Sequence, residues 1–122
     1  MRERHLKHLV CPSCQNTLLI HTISEKVDNR IKTGLLQCKT CMHQYHIVHF
    51  VPRFVSSDNY ASGFGFEWTK HAKTQYDSYT GTTITKKRFF EETQWSNNLE
   101  NEIILEAGSG SGRFTEQAAS TK

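Results

Sequence analysis

The chain has 122 residues, of which 36% are hydrophobic, and its mean hydropathy is −0.60. It is long enough for one modest domain or two small ones, and it is polar enough that a bound metal would add useful stability. Fifteen basic and twelve acidic residues give a net charge of +3, which is too mild to indicate nucleic-acid binding by itself. No apolar stretch approaches the ~20 residues of a membrane span, so no membrane partner is expected.

All four cysteines lie in two Cys-x-x-Cys pairs, Cys11 with Cys14 and Cys38 with Cys41. Two thiolates with this spacing can bind one face of a metal ion, and two such pairs complete a tetrahedron of sulfur ligands. The 23 residues between the pairs slightly exceed the usual ribbon spacing of about 15–20 but leave room for a hairpin. The pattern predicts a structural Zn²⁺ bound by these four cysteines. Iron is the alternative metal, because tetrahedral sulfur suits both.

Two other uses of the cysteines compete with metal binding. Paired disulfides suit a secreted protein, but no apolar signal segment follows Met1, which favours a reducing cytoplasm. A thioredoxin-like redox pair requires a Cys-x-x-Cys that opens a helix within a βαβ pattern, whereas each pair here lies between strand-like runs. Because four cysteines already fill the metal shell, the nearby histidines are expected to have surface or packing roles: His8, His43, His46 and His49.

Residues 1–54 are predicted to form a zinc ribbon. Strand-like runs at 17–23, 34–37 and 45–51 alternate with the cysteine pairs, and the polar segment 25–32 is predicted to be a hairpin tip. Because such a segment buries little apolar surface, we expect the metal to supply much of its stability, on the order of 10 kcal/mol.

Residues 55–98 are predicted to be an aromatic helical connector. Aromatic residues interleave with glycine from 60 to 68, a pattern that can stack nucleotide bases but more often packs against a neighbouring domain. Residues 85–95 predict a helix with an apolar side that includes Phe89 and Trp95 and that docks on something larger.

Residues 99–122 combine a buried-strand pattern at 103–105, a glycine-rich turn at 106–112 and a helical pattern at 113–119. Glycine lets the backbone turn sharply and approach a ligand, and a helix start offers free N–H groups. The G-x-G-x-G spacing differs from the G-x-G-x-x-G of dinucleotide folds and from the phosphate-binding P-loop. A flexible tail with no ligand is the alternative interpretation.

These motifs together resemble a known family. Residues 103–114 look like the first motif of class I S-adenosylmethionine-dependent methyltransferases. The order of the other motifs resembles the subgroup in which a Trm112-like zinc ribbon precedes the methyltransferase domain. The matching segments are the two cysteine pairs and residues 45–48, 51–55, 60–68 and 88–93. The resemblance implies an α+β fold with a small β-rich zinc ribbon, a helical connector and the first β-α unit of an incomplete Rossmann-like methyltransferase domain, which would occupy 99–122.

The resemblance also implies roles for individual residues. Gly108, Gly110 and Gly112 would form the loop beneath the methionine part of S-adenosylmethionine, and Glu106 would end the first strand under it. Arg88 is a candidate partner for the cofactor carboxylate. Neither a catalytic residue nor the methyl acceptor is indicated.

The chain departs from this family in two places. Lys122 lies ten residues after Gly112, so the acidic residue that holds ribose hydroxyls roughly 20 positions past the glycine loop in Rossmann-like sites is missing. We therefore expect the N-terminal part of a methyltransferase, inactive alone. At His49 and Phe50 the family tends to have an acidic residue and a glycine, so this turn is expected to differ.

Two functions of other classes remain as alternatives. The first is a stand-alone zinc-ribbon module that binds a protein partner, such as a methyltransferase that it activates. A nucleic-acid-binding ribbon ranks third, because the net charge gives it little support.

Overall fold

A computed structural model of the chain describes residues 1–56, 65, 70–71 and 73–121. The chain divides into two compact units, Met1–Asn59 and Tyr60–Lys122. The described residues have an α+β fold, as predicted, with a four-stranded antiparallel sheet and a few helices. The aromatic segment predicted at 60–68 lies outside the described residues, apart from Gly65. The division of the chain into three segments stays a prediction.

The first unit opens with a short 3-10 helix, Glu3–His8, and continues into the sheet. Its strands follow one another in the order of the sequence: β1 Leu18–Val27, β2 Arg30–Cys38, β3 Gln44–Val48 and β4 Val51–Pro52. Each strand is antiparallel to its neighbour, so the sheet is a meander in which β2 and β3 are central.

The hairpin between β1 and β2 is longer than the sequence predicted. Asp28 and Asn29 form its turn with left-handed backbone angles, φ 47° and 58°. This conformation suits a two-residue hairpin turn, and Asp and Asn tolerate it better than most residues. The hairpin tip predicted at 25–32 is confirmed in its location, but the turn has only two residues and the rest of the segment is strand. Its polar side chains pair across the hairpin instead, as Lys32 Nζ does with Glu25 Oε1 at 2.8 Å.

The single strand predicted at 45–51 is two strands. His49 and Phe50 adopt left-handed angles, φ 47° and 70°, and reverse the chain so that Val48 pairs with Val51. Two non-glycine residues in this conformation cost on the order of 1 kcal/mol each. The Phe50 amide donates to the Lys32 carbonyl at 2.9 Å, and the Arg30 guanidinium lies 4.9 Å from the Phe50 ring centre. These contacts help to hold the turn.

The hydrophobic core of the first unit is small and includes two of the cysteines. Its fully buried apolar side chains are Leu18, Ile31, Leu36 and Ile47, which lie with Met1, Cys11 and Cys38. Tyr45 and Phe54 pack against this core from its rim. So few buried side chains give a domain of this size little stability without a metal, a disulfide or another constraint.

Three short helices of the second unit lie wholly within its described residues: α1 Asp77–Thr80, α2 Ile84–Thr93 and α3 Arg113–Ser120. The helices predicted at 85–95 and 113–119 are confirmed, although α2 ends two residues early. Phe89 of α2 is buried and its ring centre lies 5.8 Å from that of Trp95 and 6.4 Å from that of Phe114 in α3. This aromatic cluster joins α2 to α3.

Asp77 fixes the start of α2 from the preceding helix. Its carboxylate accepts the backbone N–H groups of Thr85, at 3.1 Å, and Lys86, at 2.8 Å, and also the Thr82 hydroxyl. Two amides of the first helical turn are thereby satisfied, a role that the residue before the helix plays more often. Burial acts to raise the pKa of Asp77, but these amides and hydroxyls outweigh it and hold the pKa below its usual value.

The buried strand predicted at 103–105 is not formed. Ile103 and Leu105 are 75% and 91% exposed, and the segment has no strand pairing. A strand needs a hydrogen-bonded neighbour and a covered apolar face, and no described strand of the second unit supplies either. A Rossmann-like β-α unit is therefore not present in the described residues.

Candidate metal centre

Two turns of the same construction carry the four cysteines. In the first, the Cys11 amide donates to the Asn16 carbonyl at 2.9 Å; in the second, the Cys38 amide donates to the His43 carbonyl at 2.9 Å. Each turn also has a left-handed residue four positions after its first cysteine, Gln15 and Met42, both with φ 60°. The first turn is flanked by an isolated bridge between 10 and 17, and the second follows β2.

The four sulfur atoms lie close enough to bind one metal ion. All four Sγ atoms are within 4.8 Å of one another, and three of their separations are 3.4 to 3.5 Å. A tetrahedral Zn²⁺ with Zn–S bonds near 2.3 Å requires sulfur atoms about 3.8 Å apart. A disulfide bond is about 2.05 Å long, and all four cysteines are free. The geometry fits a four-thiolate metal site and not two disulfides.

Backbone amides point at every sulfur of the cluster. Each sulfur receives the N–H of the residue two positions later: Ser13 for Cys11, Asn16 for Cys14, Thr40 for Cys38 and His43 for Cys41. A hydrogen bond from an N–H group stabilises a negatively charged sulfur more than a neutral thiol. The two turns therefore favour the thiolate form, which is the form that binds a metal.

The thiols influence one another's protonation. Burial acts to raise the pKa of Cys11, but the Tyr45 hydroxyl and the amides of Cys14 and Ser13 outweigh it and lower this pKa to about 6. The His43 amide acts to lower the pKa of Cys41, but burial and the other sulfurs raise it to about 12. One proton thus leaves easily and another is held tightly, because neighbouring thiolates repel. A divalent cation would relieve this repulsion.

Two side chains beside the sulfurs were not predicted as parts of the site. The Tyr45 hydroxyl lies 3.2 Å from Cys11 Sγ, and His43 Nδ1 lies 3.2 Å from Cys41 Sγ. Side chains alternate between the two faces of a strand, so the sequence of β3 could predict that Tyr45 and Ile47 share the inner face of the sheet. It could not predict that Tyr45 lies beside Cys11. Among the residues described, the cluster of candidate metal ligands contains the four cysteines and no histidine.

The candidate cofactor residues all lie in the second unit. Gly108, Gly110 and Gly112 have φ values of 69°, 54° and 89°, a left-handed region that glycine occupies at little cost. An added Cβ would meet nothing within 4 Å at Gly108, so its backbone angle and not local space favours glycine there. Gly112 directly precedes α3, and the Tyr76 hydroxyl donates to the carbonyl of neighbouring Ser111.

Arg88 and Glu106 line one pocket of about 270 Å³ beside the glycine-rich turn. Its walls also include Phe89, Trp95 and Phe114, so the pocket is mostly apolar, and Glu92 is its third charged group. The Glu106 carboxylate accepts the hydroxyl of Thr115, one turn into α3. The structure thus brings Arg88 and Glu106 together, whereas the three glycines do not line this pocket.

Comparisons with known proteins add no family. No protein-family model matches the chain, and no curated protein matches it. No helix in the described part of the chain is long and apolar enough to cross a membrane.

Proposed function

We propose that the first unit is a zinc ribbon with one structural Zn²⁺ bound by Cys11, Cys14, Cys38 and Cys41. The observation that carries this proposal is the convergence of four free sulfur atoms within 4.8 Å, presented by two equivalent turns. Four protein thiolates fill a tetrahedral shell and leave no open position for a substrate, which makes the role structural and not catalytic. Free thiols of this kind suit a reducing compartment such as the cytoplasm.

The small core explains why the metal is needed. The ribbon buries few large apolar side chains, and two of its buried residues are the ligands Cys11 and Cys38. Removing the metal would leave repelling or unpaired thiols in that core. Zinc binding and folding of the ribbon are therefore expected to be one equilibrium.

We further propose that the ribbon precedes the methyltransferase domain of an S-adenosylmethionine-dependent enzyme. The order of the motifs supports this, as do the left-handed glycines before α3 and the pocket that Arg88 and Glu106 share. When bound, S-adenosylmethionine supplies a methyl carbon made electrophilic by its sulfonium. The Arg88 guanidinium can pair with a carboxylate, while the glycine-rich turn allows a close approach of backbone to ligand.

A stand-alone zinc-ribbon module is the second candidate function. The observation in its favour is that Met1–Asn59 is a compact unit with its own core. Such a module would bind a protein partner and would need no cofactor. None of the described residues indicates the methyl acceptor.

Calorimetry on the product of the complete gene separates these functions. We expect S-adenosylmethionine to bind the wild type and to bind Gly110→Val undetectably, with the same zinc content in both. The glycine-rich turn and the zinc site lie in different units, so the substitution should leave the metal in place. Absence of cofactor binding by a zinc-loaded wild type would refute the methyltransferase proposal and favour the module.

A further inference from the structure

The Tyr45 hydroxyl contacts both a metal ligand and a serine of the same turn. Its oxygen lies 3.2 Å from Cys11 Sγ and 3.3 Å from Ser13 Oγ. Cys11 is fully buried, so water cannot replace the hydroxyl at that sulfur. A thiolate bound to a metal carries no proton and can only accept. Tyr45 must then donate its single proton to Cys11, and Ser13 must donate to the Tyr45 oxygen.

We propose that Ser13 and Tyr45 form a hydrogen-bond relay that draws negative charge from the Cys11 thiolate, reduces the repulsion among the four thiolates and so strengthens retention of the metal. This inference rests on the proposed zinc site, and it names Tyr45 as a positioning residue that acts through Cys11. Successive hydrogen bonds polarise one another, so the Ser13 bond strengthens the one from Tyr45. Partners of metal ligands that orient and tune them in this way commonly change metal affinity by 10- to 100-fold.

Packing of the ring holds the hydroxyl in position. Tyr45 lies in β3 opposite Leu36 of β2, and its ring meets Phe54 edge-on with 5.1 Å between centres. The side chain is half-buried against the core of the ribbon. Since the strand and the ring contact fix the tyrosine without the help of the sulfur, the hydroxyl is already oriented when a metal arrives.

His43 provides a contrast within the same site. Its Nδ1 lies 3.2 Å from Cys41 Sγ, but the histidine is exposed and Cys41 is only half-buried. Water can take the place of the imidazole at that sulfur. Removing the His43 side chain should therefore disturb the metal site less than removing the Tyr45 hydroxyl.

The test uses Co²⁺ as a spectroscopic probe in the full chain, together with competition measurements of Zn²⁺ affinity. Tyr45→Phe removes one oxygen and keeps the ring. We expect the sulfur-to-cobalt charge-transfer band to move to lower energy, because a sulfur that has lost its hydrogen-bond donor gives up electrons more easily. We also expect the affinity for zinc to fall on the order of tenfold. Ser13→Ala should shift the band in the same direction by less.

Two controls separate the hydrogen bond from packing. Tyr79→Phe removes a hydroxyl from an exposed tyrosine of the second unit and should change neither quantity. Phe54→Leu keeps the donor but loosens the ring contact that positions it, so the band should move less than in Tyr45→Phe. A wild type that binds neither Co²⁺ nor Zn²⁺ would refute the zinc site itself. A metal-loaded Tyr45→Phe with an unshifted band would overturn the relay alone, whatever its affinity.

Discussion

Gly34 is the residue of the sheet where one added methyl group should be most damaging. It lies in β2, paired with Ile23 on one side and Ile47 on the other. A Cβ at this position would lie 2.5 Å from the Thr22 carbonyl oxygen and 3.2 Å from Ile31 Cγ2. The pairing of β1 is irregular on both sides of 22–23, which explains why its backbone approaches so closely. Gly34→Ala therefore forces the strands apart.

The expected loss of stability is about 2 kcal/mol. Overpacking of a well-packed site costs about 1–3 kcal/mol, and contact with a backbone atom belongs at the upper end, because a carbonyl cannot rotate away as a side chain can. Alanine recovers roughly 0.5–1 kcal/mol over glycine in a strand. If the metal-free ribbon is unfolded, a loss of about 2 kcal/mol appears as roughly 30-fold weaker apparent zinc affinity.

Competition with a chromophoric chelator measures this change for Gly34→Ala. Gln37→Ala is the matched control in the same strand, since it shortens a half-exposed side chain and adds nothing to the interior. Its zinc affinity should stay within about threefold of the wild type, as for most surface substitutions. If Gly34→Ala bound zinc as tightly as Gln37→Ala, then either the close approach of β1 or the coupling of folding to metal binding would be wrong.

Three further changes test other parts of the account. Cys38→Ser should abolish zinc binding and unfold the ribbon, and a folded, zinc-loaded variant by circular dichroism and metal analysis would contradict this. The pKa of Asp77 is lowered on folding, so its contribution is present above the unfolded value of about 3.8 and is lost as pH falls through the folded pKa. Asp77→Asn should reduce the fall in the unfolding temperature of the second unit as the pH is lowered. An unchanged dependence on pH would refute the capping role. Phe89→Ala should destabilise that unit by about 3–5 kcal/mol and shift tryptophan emission to longer wavelength, because Trp95 packs on Phe89; an unmoved spectrum would count against the aromatic cluster.

The cysteine cluster was predictable because the spacing of the residues carries most of the geometry. A Cys-x-x-Cys turn places its two sulfurs on one side by local backbone geometry alone, and the structure brings the two pairs together. The helices at 84–93 and 113–120 were also visible in local pattern. In these segments the local sequence pattern and the tertiary structure favour the same conformation.

The turn of the first hairpin is shorter than the polar segment around it, because polar residues also occur on exposed strands. β1 is exposed from His21 to Val27, so polar residues are tolerated on both of its faces, whereas β2 keeps Ile31 in the core. The better turn signal is Asp28 followed by Asn29. The turn at His49 and Phe50 has a weaker signal, since a bulky residue such as Phe50 rarely takes left-handed angles. Contacts with β2 hold it, and local sequence does not encode them.

The roles of Tyr45 and Asp77 depend on contacts that no sequence window contains. Tyr45 lies 34 residues from Cys11, and Asp77 reaches an amide nine residues later, across the turn between two helices. The exposed segment at 103–105 is the opposite case, in which a sequence pattern predicts contacts that the structure lacks. Its apolar residues predict a buried strand, but the described chain provides no neighbour to pair with it.

Native mass spectrometry of the purified chain, followed by denaturation and thiol counting, measures whether the four cysteines bind a zinc ion. We expect one zinc ion per chain, lost on denaturation, and four reactive thiols afterwards. A chain that carries no metal, or whose cysteines prove to be paired in disulfides, would contradict this expectation.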